Sequence, residues 1–478
     1  MREHRQFYID GQWVDPATPN DCQVIDPSTE EPCAVISLGS SADTDAAVAA
    51  AKAALPAWTE TTPEERIALI EKIGEIYEAR IDEMADVISM EMGAPKDWAR
   101  GAQASAGIGN IRDCIEAAKQ VQFSRPLGTA PGAQILMEPI GVIGMITPWN
   151  WPVSQTTLKV PFAMAAGCTM VLKPSEFAPL DSILLAEIID EAGVPAGVFN
   201  LVNGDGEGVG AQLSAHPDVD MISFTGSTRA GKAISRAAAE TLKRVSLELG
   251  GKGANIVFAD APDGAVKRGA RSCFSNTGQS CNAPTRMLVE RSIYDEAVEI
   301  ARETAENTAV GSAHEDGRHI GPLVSERQFG RVQALIEKGM EEGARLVAGG
   351  PGRPEGFNRG YYVRPTVFAD VEPGMTIEKE EIFGPVLSMI PFETEEEALA
   401  IANDTPYGLT NYVQSSDGAR RNRLARRLQS GMVEMNYRSR GAGAPFGGVK
   451  SSGRAREGGV WGIEEYLEVK SVSDWAAE

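Results

Sequence analysis

Cys281 differs from the other five cysteines of the chain in its surroundings. It lies in Asn276-Thr-Gly-Gln-Ser-Cys281-Asn282, bracketed by glycine and polar residues. Backbone amides in such a setting favour the thiolate, the nucleophilic form of the side chain. Cys22, Cys33, Cys114, Cys168 and Cys273 read instead as small apolar filler. Glu248 heads Glu248-Leu-Gly-Gly-Lys252, where two glycines leave a carboxylate free to reach a water as general base. The same pentapeptide, taken alone, reads first as a surface turn. Asn150 sits in Thr147-Pro-Trp149-Asn150-Trp-Pro152, a rigid loop whose amide can donate to a developing oxyanion. Taken alone, that loop is also consistent with Asn150 bonding its own turn. The histidines are His4, His216, His314 and His319, and none stands in an HExxH-like pattern. This argues against a metal site and against a Ser-His-Asp triad, and leaves acid–base work to carboxylates.

Three further segments have nucleotide-binding chemistry. In Lys173-Pro-Ser175-Glu176 the lysine can donate to, and the glutamate accept from, ribose hydroxyls. A carboxylate there also repels a 2′-phosphate, which favours NAD over NADP. A solvated helix start with a capping serine fits the same residues. Gly206 to Ala211, within Gly204-Asp-Gly206-Glu-Gly208-Val-Gly210-Ala, matches GxGxxA, and Phe224-Thr-Gly226-Ser227 closes another run. Small residues opening a helix permit close approach to a pyrophosphate, though a tight strand-to-helix turn asks for them as well.

The elements that must position these residues are legible from periodicity. Short apolar runs (Val142–Ile146, Thr169–Leu172, Val198–Val202, Met221–Phe224, Val245–Leu247, Asn255–Phe258) alternate with Ala-rich helical stretches. That alternation predicts a parallel α/β sheet, with ligands at the carboxyl ends of its strands. A second alternating stretch runs from Ala283 to about Met435, with helices over Ile293–Thr308 and Glu326–Glu342 and strands over Met287–Val289, Val363–Phe368 and Val386–Pro391. Upstream, Thr62-Pro63-Glu64-Glu65 is a helix start, followed by a core-facing stripe from Ile67 through Ile70, Ile73, Tyr77, Ile81 and Met84 to Ile88. Phe123–Gly141, rich in proline and glycine, predicts a hairpin excursion. Glu465–Val472 predicts a terminal strand, placed against a neighbouring subunit.

The 478 residues imply two or three domains. A formal net charge of −22 disfavours nucleic acid and anionic membrane surfaces as partners. The longest uncharged span, Pro139–Leu158, carries three prolines and cannot be a membrane helix. No signal-peptide pattern opens the chain, and six irregularly spaced cysteines suit reduced thiols, so a cytoplasmic protein is expected.

In order along the chain, TPWNWP, KPSE, FTGS, ELGGK, GQSC, EEIFGPV (380–386), NDTPYGL (403–409) and PFGGVKSSGR (445–454) resemble the motifs of the NAD(P)-dependent aldehyde dehydrogenase superfamily over nearly the whole length. The resemblance implies Cys281 as nucleophile, Asn150 and the cysteine's own N–H as oxyanion donors, and Glu248 as the base that releases the acid from a thioester. It implies NAD, with NADP less favoured, held by Thr147, Trp149, Lys173, Ser175, Glu176, Gly206, Gly210, Phe224, Gly226 and Ser227 and, on the nicotinamide half, by Leu249, Glu381 and Phe383. It implies an α/β fold: a Rossmann-like parallel-sheet cofactor domain (1–122 and 141–247), an α/β catalytic domain (248–440) and a small β oligomerisation arm (123–140 and 460–478). A small aldehyde as substrate, and a homodimer or homotetramer, complete the expectation. Ser280 and Asn282 flanking the cysteine, and Arg438 and Arg440 near the implied substrate mouth, depart from the commonest pattern. One of these arginines would suit an aldehyde bearing a carboxylate. A solvent-facing or inter-subunit arginine fits as well. Ser154, Gln155 and Leu158 hint at a mixed polar pocket lining. A CoA-acylating semialdehyde dehydrogenase and a non-catalytic binding relative are the alternatives. The presence of Glu248 disfavours the first, and the full set of Cys281, Glu248 and Asn150 disfavours the second.

Overall fold

The structure is a computed structural model that describes residues 2–475. Its architecture is α/β, built on two seven-stranded sheets and two small three-stranded ones. The first large sheet has the order Arg244–Glu248, Met221–Thr225, Val142–Ile146, Thr169–Lys173, Phe199–Leu201, then the hairpin Phe7–Ile9 and Gln12–Val14. Its first five strands are parallel. Every residue of Val142–Ile146 is buried, as expected of a β-branched and apolar run covered on both faces. From Phe199–Leu201 to Arg244–Glu248 the strands run third, second, first, fourth, fifth in chain order. The winding therefore reverses between Val142–Ile146 and Met221–Thr225, the switch point at which such sheets bind ligands. The segments holding Asn150 and Gly226 leave those two strands.

The second sheet has the order Arg345–Ala348, Thr366–Ala369, Val386–Phe392, Arg286–Glu290, Ala254–Val257, Thr410–Gln414, Met432–Met435, with Arg345–Ala348 antiparallel. Ala254–Val257 lies here, between Arg286–Glu290 and Thr410–Gln414. The run Asn255–Phe258 therefore does not continue the first sheet, as its spacing suggested. The connection before it explains why: Leu249-Gly250-Gly251-Lys252-Gly253 carries the chain out of one sheet and into the other. The second sheet also differs in where its motifs lie. Glu248–Lys252, Cys281, Glu381 and the 403–409 segment all precede strands, so this sheet turns its amino ends to the carboxyl ends of the first.

Thr62 caps the helix Pro63–Ala79 by accepting from Glu65 N at 3.2 Å, while the Glu65 carboxylate accepts from Thr62 N at 2.8 Å. The apolar stripe is split between that helix and Ile81–Met92, which ends at Gly93 in a left-handed turn. The predicted strand Val363–Phe368 begins only at Thr366 and runs to Ala369.

Ser124–Pro126 and Gln134–Pro139 form the expected hairpin. Leu467–Val472 pairs antiparallel with Gln134–Pro139 of its own chain and is the outer strand of that sheet. Gly459–Glu464 is a helix, and Ile463, Tyr466 and Leu467 join the core of the first sheet, so only the strand extends into the arm. Of the 460–478 segment, residues 476–478 lie outside the described residues. Among the described residues no helix is long and apolar enough to cross a membrane.

Candidate active site

The loop that delivers Cys281 follows the helix Ala265–Phe274. Asn276, Thr277 and Gly278 have φ of 53°, 55° and 71°, three successive left-handed residues, of which only glycine adopts this without cost. The surroundings hold the strain in place. Asn276 Nδ2 donates to Asn150 O at 2.9 Å, and Thr277 Oγ1 to Gly321 O at 3.0 Å. Gln103 Nε2 donates both to Asn276 Oδ1 at 2.8 Å and to Asn150 O at 3.1 Å. A side chain at Gly278 would come within 2.1 Å of the Gly384 backbone, so the loop packs directly on the segment carrying Glu381 and Phe383.

Asn150 is joined to the cysteine through this network. Its Nδ2 donates to Gln279 O at 3.0 Å, two residues before Cys281. The second proton of that amide is left for another acceptor. The next residue, Trp151, donates from Nε1 to Ser280 Oγ at 2.9 Å. Gly251 meets the loop from the opposite side, where a Cβ would lie 2.4 Å from the Cys281 carbonyl oxygen. Residues 150, 248–251 and 281 are therefore parts of one site.

Glu248 ends its strand and is only 2% exposed. Neither of its carboxylate oxygens has a hydrogen-bond partner among the described residues. Burial, and then the like charge of Glu457, push its pKa well above the usual carboxylate range. Glu457 accepts from Lys159 in a buried ion pair. The loop 447–454 closes over the acid: a Cβ at Gly447 would lie 2.8 Å from Glu248 Oε1, and one at Gly453 would lie 1.9 Å from Leu247 O. The glycines of PFGGVKSSGR are thus contact requirements.

Cys281 is partly accessible. Burial, Glu381 and Glu248 raise its pKa, and its own backbone N–H only partly opposes them. The expected thiolate is thus disfavoured in the free protein, because burial, and then two glutamates brought from distant segments, outweigh the local amide.

The nucleotide candidates line the carboxyl edge of the first sheet. Lys173 Nζ is buried and donates to Pro174 O at 2.7 Å and Gly204 O at 2.8 Å, with Glu176 Oε2 at 3.7 Å. Thr147 N donates to Lys173 O at 3.1 Å, and Ser175 Oγ accepts from Phe177 N at 3.3 Å. Gly206–Gly210 is a wide helical turn capped by Asp205, whose Oδ1 accepts from Gly208 N at 2.6 Å. A Cβ at Gly206 would meet open space, and one at Gly226 would strike the Phe224 ring at 2.5 Å. Ser227 caps the helix Thr228–Ala239, accepting from Ala230 N at 3.2 Å. A helix N-terminus at the switch point, a glycine-lined turn and a carboxylate beside a lysine suit a dinucleotide. Trp149 and Phe383 meet edge to face at 5.4 Å. Leu249 packs over Gly231, where a Cβ would lie 2.8 Å from it. Glu381 Oε1 accepts from Gly251 N at 2.8 Å.

Several residues in this arrangement escaped sequence reasoning. Lys159 ends the long uncharged run, but its partner Glu457 lies 298 residues away. Gln103 and Asn276 carry no local motif that would tie them to Asn150. Ser154 and Gln155 are buried and Leu158 partly so, with Ser154 O and Oγ accepting from Asn110 at 3.0 and 3.1 Å. Arg440 is spent on Glu434 at 3.3 Å and Pro445 O at 2.8 Å, whereas Arg438 is exposed. Behind the cysteine loop, a cavity of about 820 Å³ is walled by Trp98, Phe274, Asn276, Gln279 and Ile320. No cluster of metal-ligating side chains occurs among the described residues.

Known proteins resemble this chain over nearly its whole length. The profile of the aldehyde dehydrogenase family matches residues 13–472. A 3-succinoylsemialdehyde-pyridine dehydrogenase of Pseudomonas sp is 50% identical over 99% of both chains. The crystal structure of an aldehyde dehydrogenase from Bartonella henselae superposes with a TM-score of 0.99 at 60% identity, covering 99% of this chain and 100% of that one. An aldehyde dehydrogenase C mutant from Pseudomonas syringae, solved with NAD+ and octanal, superposes with a TM-score of 0.97 at 48% identity, over 99% of this chain and 97% of that one.

Proposed function

The chain belongs to the aldehyde dehydrogenase family, and from that premise we propose that it oxidises an aldehyde to the carboxylic acid with NAD, using Cys281, Asn150 and Glu248. The observation that carries the reading is the convergence of these three on one site from segments of two different sheets. Cys281 Sγ attacks the aldehyde carbon to give a thiohemiacetal, and its proton passes to a neighbouring carboxylate. The free amide proton of Asn150 and the Cys281 N–H stabilise the oxyanion. NAD held by Leu249, Glu381 and Phe383 at its nicotinamide half would supply the hydride acceptor, and loss of hydride from the substrate carbon would leave a thioester on Cys281. Glu248 then takes a proton from a water that attacks this thioester. Its elevated pKa makes it a stronger base than a solvated glutamate, at the cost of being ionised only at higher pH.

Residues 1–122 and 141–247 form the cofactor domain and 248–440 the catalytic domain on this reading. Lys173 and Glu176 hold the adenosine ribose, Gly206 and Gly210 lie near the adenine, and Gly226 and Ser227 face the pyrophosphate. Leu249, Glu381 and Phe383 position the nicotinamide half. Glu176 repels a 2′-phosphate, so NAD is preferred to NADP. Six free thiols fit a cytoplasmic setting. The relative solved with octanal supports an uncharged aldehyde as substrate. The consumed charge of Arg440 supports the same choice.

A homo-oligomer is proposed on the arm. The strand Leu467–Val472 is the outer strand of its sheet, Val469 on it is 66% exposed, and nearby Leu242 is 91% exposed. These exposed apolar side chains on an outer strand support that reading. Light scattering measures the assembly, and a monomer would refute this part.

NADH formation with a panel of aldehydes tests the main reading, and Cys281→Ala is expected to abolish it. A product that forms only with CoA would replace hydrolysis with acyl transfer. Comparing kcat/KM for succinic semialdehyde and hexanal in wild type and Arg438→Ala is expected to show an unchanged ratio. A fall for the semialdehyde alone would assign the substrate carboxylate to that arginine.

A further inference from the structure

We infer that Gln103 is a positioning residue for the reaction: its carboxamide ties Asn150 to the strained loop that carries Cys281, and so fixes where the oxyanion donor lies. The inference rests on the reading above that Asn150 stabilises the oxyanion formed on Cys281.

Gln103 belongs to Ala99–Ala104, a single wide, π-type turn that leads into the helix Ser105–Ala118. Such turns are rare and gather at functional sites. Two side chains support this one from its own surroundings. Tyr77 OH donates to Ala104 O at 2.8 Å, and Ser105 Oγ to Arg100 O at 2.7 Å. Gln103 is 0% exposed. Its Nε2 donates to Asn276 Oδ1 at 2.8 Å and to Asn150 O at 3.1 Å, with the weak acceptor Met92 Sδ further off at 3.8 Å. Its Oε1 has no partner among the described residues. The two donated bonds therefore set the orientation of the amide, since a reversed one would place oxygen against two oxygens.

Three more amides complete the network. Asn276 Nδ2 donates to Asn150 O at 2.9 Å and to Gln279 O at 3.1 Å. With Gln103, this fills both lone pairs of the Asn150 carbonyl. Asn150 Nδ2 donates to Gln279 O at 3.0 Å. Gln279 is itself held, its Oε1 accepting from Val324 N at 3.0 Å and its Nε2 donating to Asn276 O at 3.3 Å. All four residues are buried. Asn150 is thus fastened to the cysteine loop through both its backbone and its side chain, and Gln103 is the corner that comes from a third segment. Without it, Asn150 O loses one donor and Asn276 Oδ1 loses its own. The left-handed residues 276–278 also lose a restraint on their strain. An oxyanion donor acts only within about 2.7–3.1 Å of the developing charge, so small drift between Asn150 and Cys281 is felt in the rate. Glutamine supplies two donors without adding a charge beside the thiol, which neither lysine nor glutamate can do.

The test is a double-mutant cycle read by stopped-flow NADH formation with hexanal. Gln103→Met keeps the length of the side chain and removes both donors. Its burst rate is expected to fall about tenfold to a hundredfold, the scale of an ångström of misplacement. NADH affinity by fluorescence titration, and KM for NAD, should stay within about threefold of wild type. In an Asn150→Ala background the carboxamide to be positioned is gone, so the added Gln103→Met should cost no more than about threefold. A burst rate for Gln103→Met within about threefold of wild type, or a larger loss than that in the Asn150→Ala background, would overturn the inference. If Gln103→Met does not fold, Gln103→Glu carries the same cycle. Its neutral carboxyl can donate to one of the two oxygens and its ionised form to neither, so its loss against wild type should hold or deepen from about pH 6 to 9. A loss that shrinks as pH rises, or that persists undiminished without the Asn150 amide, would overturn the inference. Wild-type protein that forms no NADH with any aldehyde, or Asn150→Ala with an unchanged burst, would overturn the functional reading and the inference with it. A normal wild type and an impaired Asn150→Ala, with no coupling to Gln103, would remove Gln103 alone.

Discussion

Replacing Glu248 with glutamine should impair the enzyme and stabilise the protein at the same time. The carboxylate is buried, its oxygens lack partners among the described residues, and its neighbour Glu457 adds like charge. Burial raises its pKa, so the folded chain holds a proton that the unfolded chain would release. That contribution to stability is complete below the ordinary value of 4.5 and is lost as pH rises through the folded pKa. Glutamine never ionises, so Glu248→Gln should match wild type in acid and exceed it in mild alkali. Each pH unit between that ordinary value and the folded pKa is worth about 1.4 kcal/mol, which sets the expected gain. The loss in catalysis follows from the missing base, worth about 10²–10⁴ in rate, or roughly 2.7–5.4 kcal/mol of barrier. Acylation and hydride transfer do not need this base, so a stopped-flow trace should keep a burst of NADH near one per active site, followed by slow turnover. Thermal melts across the pH range read the stability arm. Steady-state turnover within about threefold of wild type would refute the role of Glu248 as base. A variant less stable than wild type in alkali would refute the electrostatic account.

Asn150→Ala should lower kcat by about 10²–10³ with little change in KM, because it removes an oxyanion donor; a change confined to KM would contradict this. Gly251→Ala places a Cβ 2.4 Å from the Cys281 carbonyl and should displace that loop. The expected cost is about 1–3 kcal/mol of stability and about 10² in kcat. Gly330→Ala, on a helix and facing open space, is the matched control and should instead stabilise the fold by up to about 1 kcal/mol. Glu457→Gln removes the like charge beside Glu248 and leaves Lys159 uncancelled, so the acid limb of the deacylation rate should move to lower pH. A shift to higher pH in that profile would contradict the assignment.

The parts of this protein that are written locally were legible. The helix start at Thr62-Pro63-Glu64-Glu65, the strand Val142–Ile146 and the hairpin around Gln134–Pro139 each follow from residues within one or two turns of chain. The chemistry-bearing segments are short runs that each left an alternative open when taken alone, and their order along the chain carried the family resemblance. The run Asn255–Phe258 misled because a buried parallel strand carries no mark of which sheet it will join. The glycines of PFGGVKSSGR look like a flexible loop until the contacts at Gly447 and Gly453 show that they are there for closeness.

The sequence by itself determined the α/β class, the order of the motifs and the family to which they belong. Tertiary structure alone decided that the first sheet's carboxyl ends meet the second sheet's amino ends, and that Lys159 finds Glu457. It also decided that burial, and then Glu381 and Glu248, disfavour the Cys281 thiolate. Periodicity and motif spacing are properties of neighbouring residues. Charge state depends on desolvation and on through-space fields, which exist only once distant segments have been packed together.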